Sequence, residues 1–245
     1  MSRTQLILTL GLVITIFSSG NGWCAQKSTQ TTKHGNLAAL QLKDVHIEAQ
    51  GIEAFFSDLS LEYGIPIGLE IASNDNHFEE YDIEFKKGTL GDFLNKFVKA
   101  YNLYAWDITD GVVNIFPKGG YRDQVIDDLL KTKVASFKVT ENTNCWTAID
   151  LLLATPELKG KLEASGVVQS GLNFSGSYIP HLGRQFTLDV SNMTVKSILN
   201  KVAKDSPLAK IWVIKKYGYE QTFFIRFHAL HPDAPAGIKN LTRIP

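Results

Sequence analysis

Apolar and polar positions along this chain follow two rhythms, and each rhythm is written more than once. "YDIEF" is apolar at Tyr81, Ile83 and Phe85, and "FTLDV" is apolar at Phe186, Leu188 and Val190. Alternation with period two puts such residues on one face of a strand. Downstream of each the spacing changes. "TLGDFLNKF" (89–97) is apolar at Leu90, Phe93, Leu94 and Phe97, and "TVKSILNKV" (194–202) at Val195, Ile198, Leu199 and Val202. That i, i+3, i+4, i+7 pattern is the buried face of an amphipathic helix. Thr89 and Thr194 stand where a hydroxyl can cap the first free N–H groups. The offset is constant, 186 − 81 = 105 and 194 − 89 = 105, so strand and helix repeat together.

Each of these helices leads into a β-rich hairpin. In "LYAWDITDGVVNIF" the turn signal is Asp110-Gly111; in "AKIWVIKKYGYEQTFFIRF" the turn falls around Tyr217-Gly218, and Trp106 and Trp212 take matching places. A further strand–helix unit precedes each: "VHIEA" with Ile52, Phe55, Phe56 and Leu59, and "SFKVT" with Cys145, Ala148, Ile149 and Leu152. The pattern predicts an α+β fold of two small tandem β-α-β-β-α-β-β modules, 37–118 and 134–229, each with two helices packed on short mixed sheets. A connector, 119–133, opens as a Pro/Gly turn and carries a helical turn at 122–131. Within the longer stretch 156–184, "GLNFSGSYIPHLGRQ" reads as a strand followed by a loop. The proline-bearing tail, 230–245, reads as extended.

The beginning of the chain changes the picture. "LILTLGLVITIF" (6–17) is an apolar run of 12 residues behind Arg3, short of the roughly 20 that a stable spanning helix needs. With "SSGNGWCA" after it, residues 1–25 read as a secretory signal peptide and 26–36 as a polar linker. Cleavage after Ala25 would leave Trp23 at the −3 position, whereas Gly20 and Gly22 have small residues at both key places. Cys24 invites an outer-membrane lipoprotein reading, but "NGWC" lacks the residues expected before a lipidated cysteine. The expectation is a periplasmic protein with no transmembrane span after signal cleavage.

Length and charge narrow the class. With 245 residues, 44% of them hydrophobic, the chain can bury one sizeable core or two small ones. Without Arg3, 24 basic face 25 acidic side chains, and no clustered basic face marks a nucleic-acid footprint. Two cysteines, Cys24 and Cys145, make no disulfide framework.

Candidate chemistry is sparse. His228 and His231 resemble half of a metal site, yet no second ligand pair with zinc-like spacing accompanies them. Cys145 occupies a helix position that Ile52, Leu90 and Val195 hold elsewhere, which marks it as a core residue. Asp75, Glu79 and Glu80 lack the ligand spacing of a calcium loop. No G-x-S-x-G, H-E-x-x-H or glycine-rich phosphate loop occurs; the sequence offers no catalytic set, and neither enzyme activity nor a cofactor is expected. Trp106 and Trp212, with Tyr104, Tyr217 and Tyr219, suit either an aromatic platform for a glycan or packing against the preceding helices.

One resemblance organises these observations. "VHIEAQGIEAFFSDLSLEYGIPIGLE", "YDIEFKKGTLGDFLNKFVKAYNLYAW" and "DGVVNIFP" carry it: residues 37–118 resemble the short N-terminal domain of secretins and TonB-dependent receptors (the STN domain), and 134–229 resemble a more divergent copy. The resemblance implies a non-catalytic module that binds envelope proteins such as a secretin, a TonB-dependent receptor or an inner-membrane assembly component, through strand edges. Strand addition supplies main-chain hydrogen bonds for affinity and alternating side chains for specificity. The edges expected to be exposed are those of the closing hairpins: Val112, Val113, Asn114, Ile115 and Phe116, and Thr222, Phe223, Phe224 and Ile225, continuing to Phe227. The last hairpin is apolar on both faces, which leaves two readings: both faces in the core, or one against a partner. The alternative to docking is an envelope carbohydrate- or peptidoglycan-binding protein that uses the aromatic hairpins.

Overall fold

The computed structural model describes residues 36–75, 79–140, 143, 145–169, 187–206, 209–217 and 221–229. The signal-like segment with Cys24, most of the 156–184 stretch, the Tyr217-Gly218 turn and the tail with His231 lie wholly or partly outside them. The first half runs β1 (Gln41–Gln50), α1 (Ile52–Tyr63), β2 (Ile67–Glu70), β3 (Glu80–Thr89), α2 (Leu90–Ala100), β4 (Tyr104–Thr109) and β5 (Val112–Pro117). The connector forms α3 (Gln124–Lys131). The second half runs β6 (Lys133–Val139), α4 (Cys145–Leu153), α5 (Pro156–Ser165), β7 (Val168–Gln169), β8 (Leu188–Thr194), α6 (Val195–Asp205), β9 (Ala209–Tyr217) and β10 (Thr222–Ala229). The fold is α+β.

The helical spacing read from the sequence is the spacing that is buried. All sixteen apolar positions named for α1, α2, α4 and α6 are at most 7% exposed. Thr89 caps α2 reciprocally: its hydroxyl accepts from Asp92 N at 3.1 Å, while Asp92 Oδ2 accepts from Thr89 N at 2.9 Å. Thr194 accepts from Ser197 N at 3.2 Å and so caps the start of α6. Asp110 and Gly111 have φ of 58° and 76°, the doubly left-handed turn that matches the twist of a two-residue hairpin. Helix α5, absent from the sequence expectation, has Pro156 in its first turn and fully buries only Leu158. A helix with so narrow an apolar face leaves little periodicity to read.

The sheets reveal the wiring of the two halves. β1 pairs with β3 and β6 with β8, each an antiparallel ribbon, and the other six strands form one sheet in the order β4-β5-β2-β9-β10-β7. In the first half β5 runs antiparallel to β4 and parallel to β2; in the second, β10 runs antiparallel to β9 and parallel to β7. The halves meet where β2 pairs with β9 in parallel, from Ile67 opposite Ile211 to Glu70 opposite Ile214.

This junction turns the second half over. Ile67, Leu69, Val113, Ile115, Ile211 and Val213 lie in the core under α1 and α2, whereas Trp212, Ile214, Phe223, Ile225 and Phe227 lie in the core of α4 and α6 on the opposite face. Phe224 joins the first core, so the last hairpin is core on both faces.

Candidate docking edge

The sequence places the exposed edges at Val112–Phe116 and Thr222–Phe227; the structure places the first segment inside the sheet and, among the described residues, covers the outer side of the second only at Thr222 and Phe223. β5 pairs with β4 along its whole length and with β2 at Val113, Asn114 and Ile115. Val113 N donates to Pro66 O at 3.0 Å. Val112, Val113, Asn114 and Ile115 are fully buried, and Phe116 is half-buried beneath the cations of Arg122 and Lys196, each 5.1 Å from its ring centre. β10 pairs with β9, and with β7 at Thr222 and Phe223; Phe223, Phe224 and Ile225 are buried. The physical reason is topological. In each half a strand from before the hairpin crosses back to lie beside its last strand: β2 makes β5 central, and the two-residue β7 covers the start of β10.

Among the described residues the sheet's open side in the first half is therefore β4, whose hydrogen-bonded neighbour is β5 alone. Lys118 N donates to Leu103 O at 2.9 Å. In an antiparallel ladder the peptide groups alternate sides, so those of Trp106 and Ile108 face outward. The Trp106 indole donates to Asn95 Oδ1 at 3.2 Å, and the Trp212 indole donates to Asn200 Oδ1 at 2.8 Å. The two asparagines stand 105 residues apart, 200 − 95 = 105, in the "Asn-Lys" of the two helices. One indole–amide latch thus occurs twice. In the second half it is sealed: Trp212 and Asn200 are both fully buried. In the first half Asn95 is exposed and Trp106 half-buried.

What seals the second latch is β2, with Gly68 opposite Trp212. A Cβ on Gly68 would stand 2.4 Å from Trp212 Cζ2, so the close approach needs glycine. Helix α6 continues past its own half and packs against β2 and β5, while α1 packs against β9. Asn200 Nδ2 also reaches Thr109 O at 3.4 Å.

Two charged clusters fasten the same junction. Glu70, 2% exposed at the end of β2, takes a bidentate contact from Arg122 Nη2 at 3.1 and 3.2 Å and one from Lys196 Nζ at 3.4 Å. Arg122 in turn pairs with Asp127 on α3 at 3.2 Å, so first half, connector and second half share one network. Around it is a hollow of about 240 Å³ reached by Asp107, Thr194 and Lys131. On the other face Glu53 of α1 binds Arg226 and His228 of β10. Burial alone would raise the Glu53 carboxyl, but hydrogen bonds and charge from His228 and Arg226 outweigh it and hold it down at about 2.

The remaining candidates have structural partners. Asp75 is 6% exposed and accepts from the Tyr81 and Tyr104 hydroxyls. Burial, reinforced by that carboxylate, pushes both phenols above their ordinary range. Among the described residues its Oδ1 has no hydrogen-bond partner, and it stands beside a second hollow of about 230 Å³ also lined by Glu53, Lys215 and Arg226. Cys145 is 7% exposed in the second core. Trp212 and Tyr104 are fully buried and present no aromatic face to solvent; Tyr219 lies outside the described residues. Among the described residues no three His, Cys, Asp or Glu side chains converge as a metal site, and no helix is long and apolar enough to cross a membrane. In comparisons with protein-family models, with curated proteins and with solved structures, nothing matches this chain.

Proposed function

We propose that this chain is an exported, non-catalytic protein-interaction protein of the bacterial cell envelope that docks to a secretion, pilus or TonB-type assembly through a sheet edge. The observation that carries the reading is the open β4 edge. Its outward peptide groups at Trp106 and Ile108 are unpaired by any described strand, and its repeat counterpart in β9 is occupied by β2. Main-chain pairing at such an edge is a general mode of peptide and domain recognition. The signal-like leader and the STN resemblance of 37–118 supply the envelope context.

The test is covalent crosslinking in intact cells of the source, followed by capture of the C-terminally tagged protein and mass spectrometry. A secretin, a TonB-dependent receptor or an inner-membrane assembly component crosslinked through residues 104–109 is the expected result. Recovery of cell-wall fragments instead would replace docking with carbohydrate binding, and crosslinks confined to other surfaces would remove β4 from the reading.

A further inference from the structure

We infer that the β4 edge receives a partner strand in a fixed way: parallel to β4, with a glycine opposite Trp106, an apolar residue before that glycine and a polar residue after it. The inference rests on the docking reading above and supplies what that reading leaves open: the direction of the incoming strand and its sequence requirement.

Ile71 N donates to Ile214 O at 2.9 Å across the β2–β9 junction. By the two-residue period of the ladder, Trp212 and Ile214 are the β9 residues whose peptide groups face β2. On β4 the residues whose peptide groups face the open side are Trp106 and Ile108, the repeat counterparts of Trp212 and Ile214. The row of donors and acceptors that holds β2 on β9 is thus present again on β4, in the same phase relative to the tryptophan.

The side chains repeat the same instruction. Trp212, held by Asn200, spreads its indole so close to Gly68 that an added Cβ would meet Cζ2 at 2.4 Å and Cε2 at 2.5 Å. Trp106 is held by Asn95 in the same way. A strand in that register on β4 therefore meets an indole where its own side chain would stand, and glycine fits.

The neighbours then differ. Ile67 lies opposite Ile211 and Leu69 opposite Val213 on β9; the counterparts on β4 are Ala105 and Asp107. Ala105 suits an apolar residue before the glycine. Asp107, whose Oδ1 accepts from Asn114 and Thr109, suits a polar residue after it. That change also discriminates against the chain's own β2, which carries Leu69 at this place and would bring it against a carboxylate.

The probe is a synthetic peptide of residues 64–73 with Leu69→Thr, titrated into the full-length protein after removal of its leader. Binding is followed by hydrogen exchange of the β4 amides. The expected result is saturable protection of Trp106 and Ile108, with at least tenfold weaker binding when the peptide also carries Gly68→Val. A peptide N-methylated at the residue after glycine, which needs no change in the protein, should lose protection to the same degree. Ile108→Pro in the protein removes one outward N–H at an edge position that tolerates proline and should weaken binding with the circular dichroism unchanged. Absence of saturable protection, equal affinity of the valine peptide, or protection of β9 in place of β4 each overturns the inference. If crosslinking captures an envelope partner while the peptide fails, this inference falls and docking stands. If the peptide seats as described and no partner is captured, docking falls and the strand seat stands.

Discussion

Gly68 and Trp212 face each other across the β2–β9 junction, with no room for a methyl group between them: a Cβ on Gly68 would lie 2.4 Å from Cζ2 of an indole that is itself fully buried. The ring has nowhere to swing, because its N–H is held by Asn200 at 2.8 Å. Gly68→Ala should therefore act as an overpacked core substitution and cost about 1–3 kcal/mol, read as a lower midpoint in urea unfolding. Trp212→Phe shortens the ring and should recover part of that loss in the double variant, a coupling that a double-mutant cycle measures. An unchanged midpoint for Gly68→Ala would mean that the strands stand further apart than described.

The two indole–amide latches make a controlled pair. Asn200→Ala leaves the Trp212 N–H without its partner in a fully buried place, which costs about 1–3 kcal/mol. Asn95→Ala exposes the corresponding group of Trp106 to water, and a substitution at so open a position should shift stability by less than about 0.5 kcal/mol. Equal losses in thermal unfolding would contradict the distinction between a sealed latch and an open one.

Most of the elements were legible because local pattern and tertiary burial agree here. The spacing of Leu90, Phe93, Leu94 and Phe97 names a face, and α2 buries that face; Asp110-Gly111 names a turn, and the backbone there is left-handed at both residues. The matching hairpins also paired Trp106 with Trp212, 106 residues apart and so one residue beyond the helix offset, although they did not show that a side-chain amide one helix earlier would fix each ring. The β5 edge, and the start of the β10 edge, differ from the expectation for one reason. Periodicity describes each strand against its neighbours in sequence, whereas the neighbours of β5 and β10 in space are β2 and β7, which arrive by crossover. A signal was present: Val112, Val113 and Ile115 leave no polar face, the mark of a strand covered on both sides. The junction ion pairs were out of reach, since Glu70 and Lys196 are separated by 126 residues.

Arg122 should prove hard to replace. It supplies both arms of the contact to Glu70, which is 2% exposed, and it also pairs with Asp127. Arg122→Ala leaves a buried carboxylate whose remaining charged partner among the described residues is Lys196, 3.4 Å away. Removing one partner of a buried pair typically costs about 3–5 kcal/mol, far more than the pair contributes relative to an apolar replacement. Glu70→Gln with Arg122→Met, which removes both charges, should accordingly be more stable than Arg122→Ala alone. The reverse order in urea unfolding would show that the clasp is solvated.

Glu53 gives the fold a specific acid sensitivity. Burial opposes its charge, but the hydrogen bonds and charges of His228 and Arg226 win and lower its carboxyl from 4.5 to about 2. Between those two values the unfolded chain holds a proton on this residue that the folded chain does not, so stability rises with pH. The contribution is fully present above about 4.5, is lost as pH falls from there, and is gone below about 2. A separation of that size corresponds to about 3 kcal/mol, and the side chain is only 18% exposed, so solvent screening removes little of it. Glu53→Gln should be less stable than the parent at pH 6 by an amount of that order, and the gap should close as pH approaches 2. Other carboxylates titrate in the same window and steepen both curves, so the difference between parent and variant isolates Glu53. Because the pair joins α1 of the first half to β10 of the second, its loss should also loosen the junction, seen as faster hydrogen exchange at Ile67–Leu69 below pH 4. Parallel stability curves for parent and variant would show that Glu53 meets His228 and Arg226 too weakly to hold the halves together.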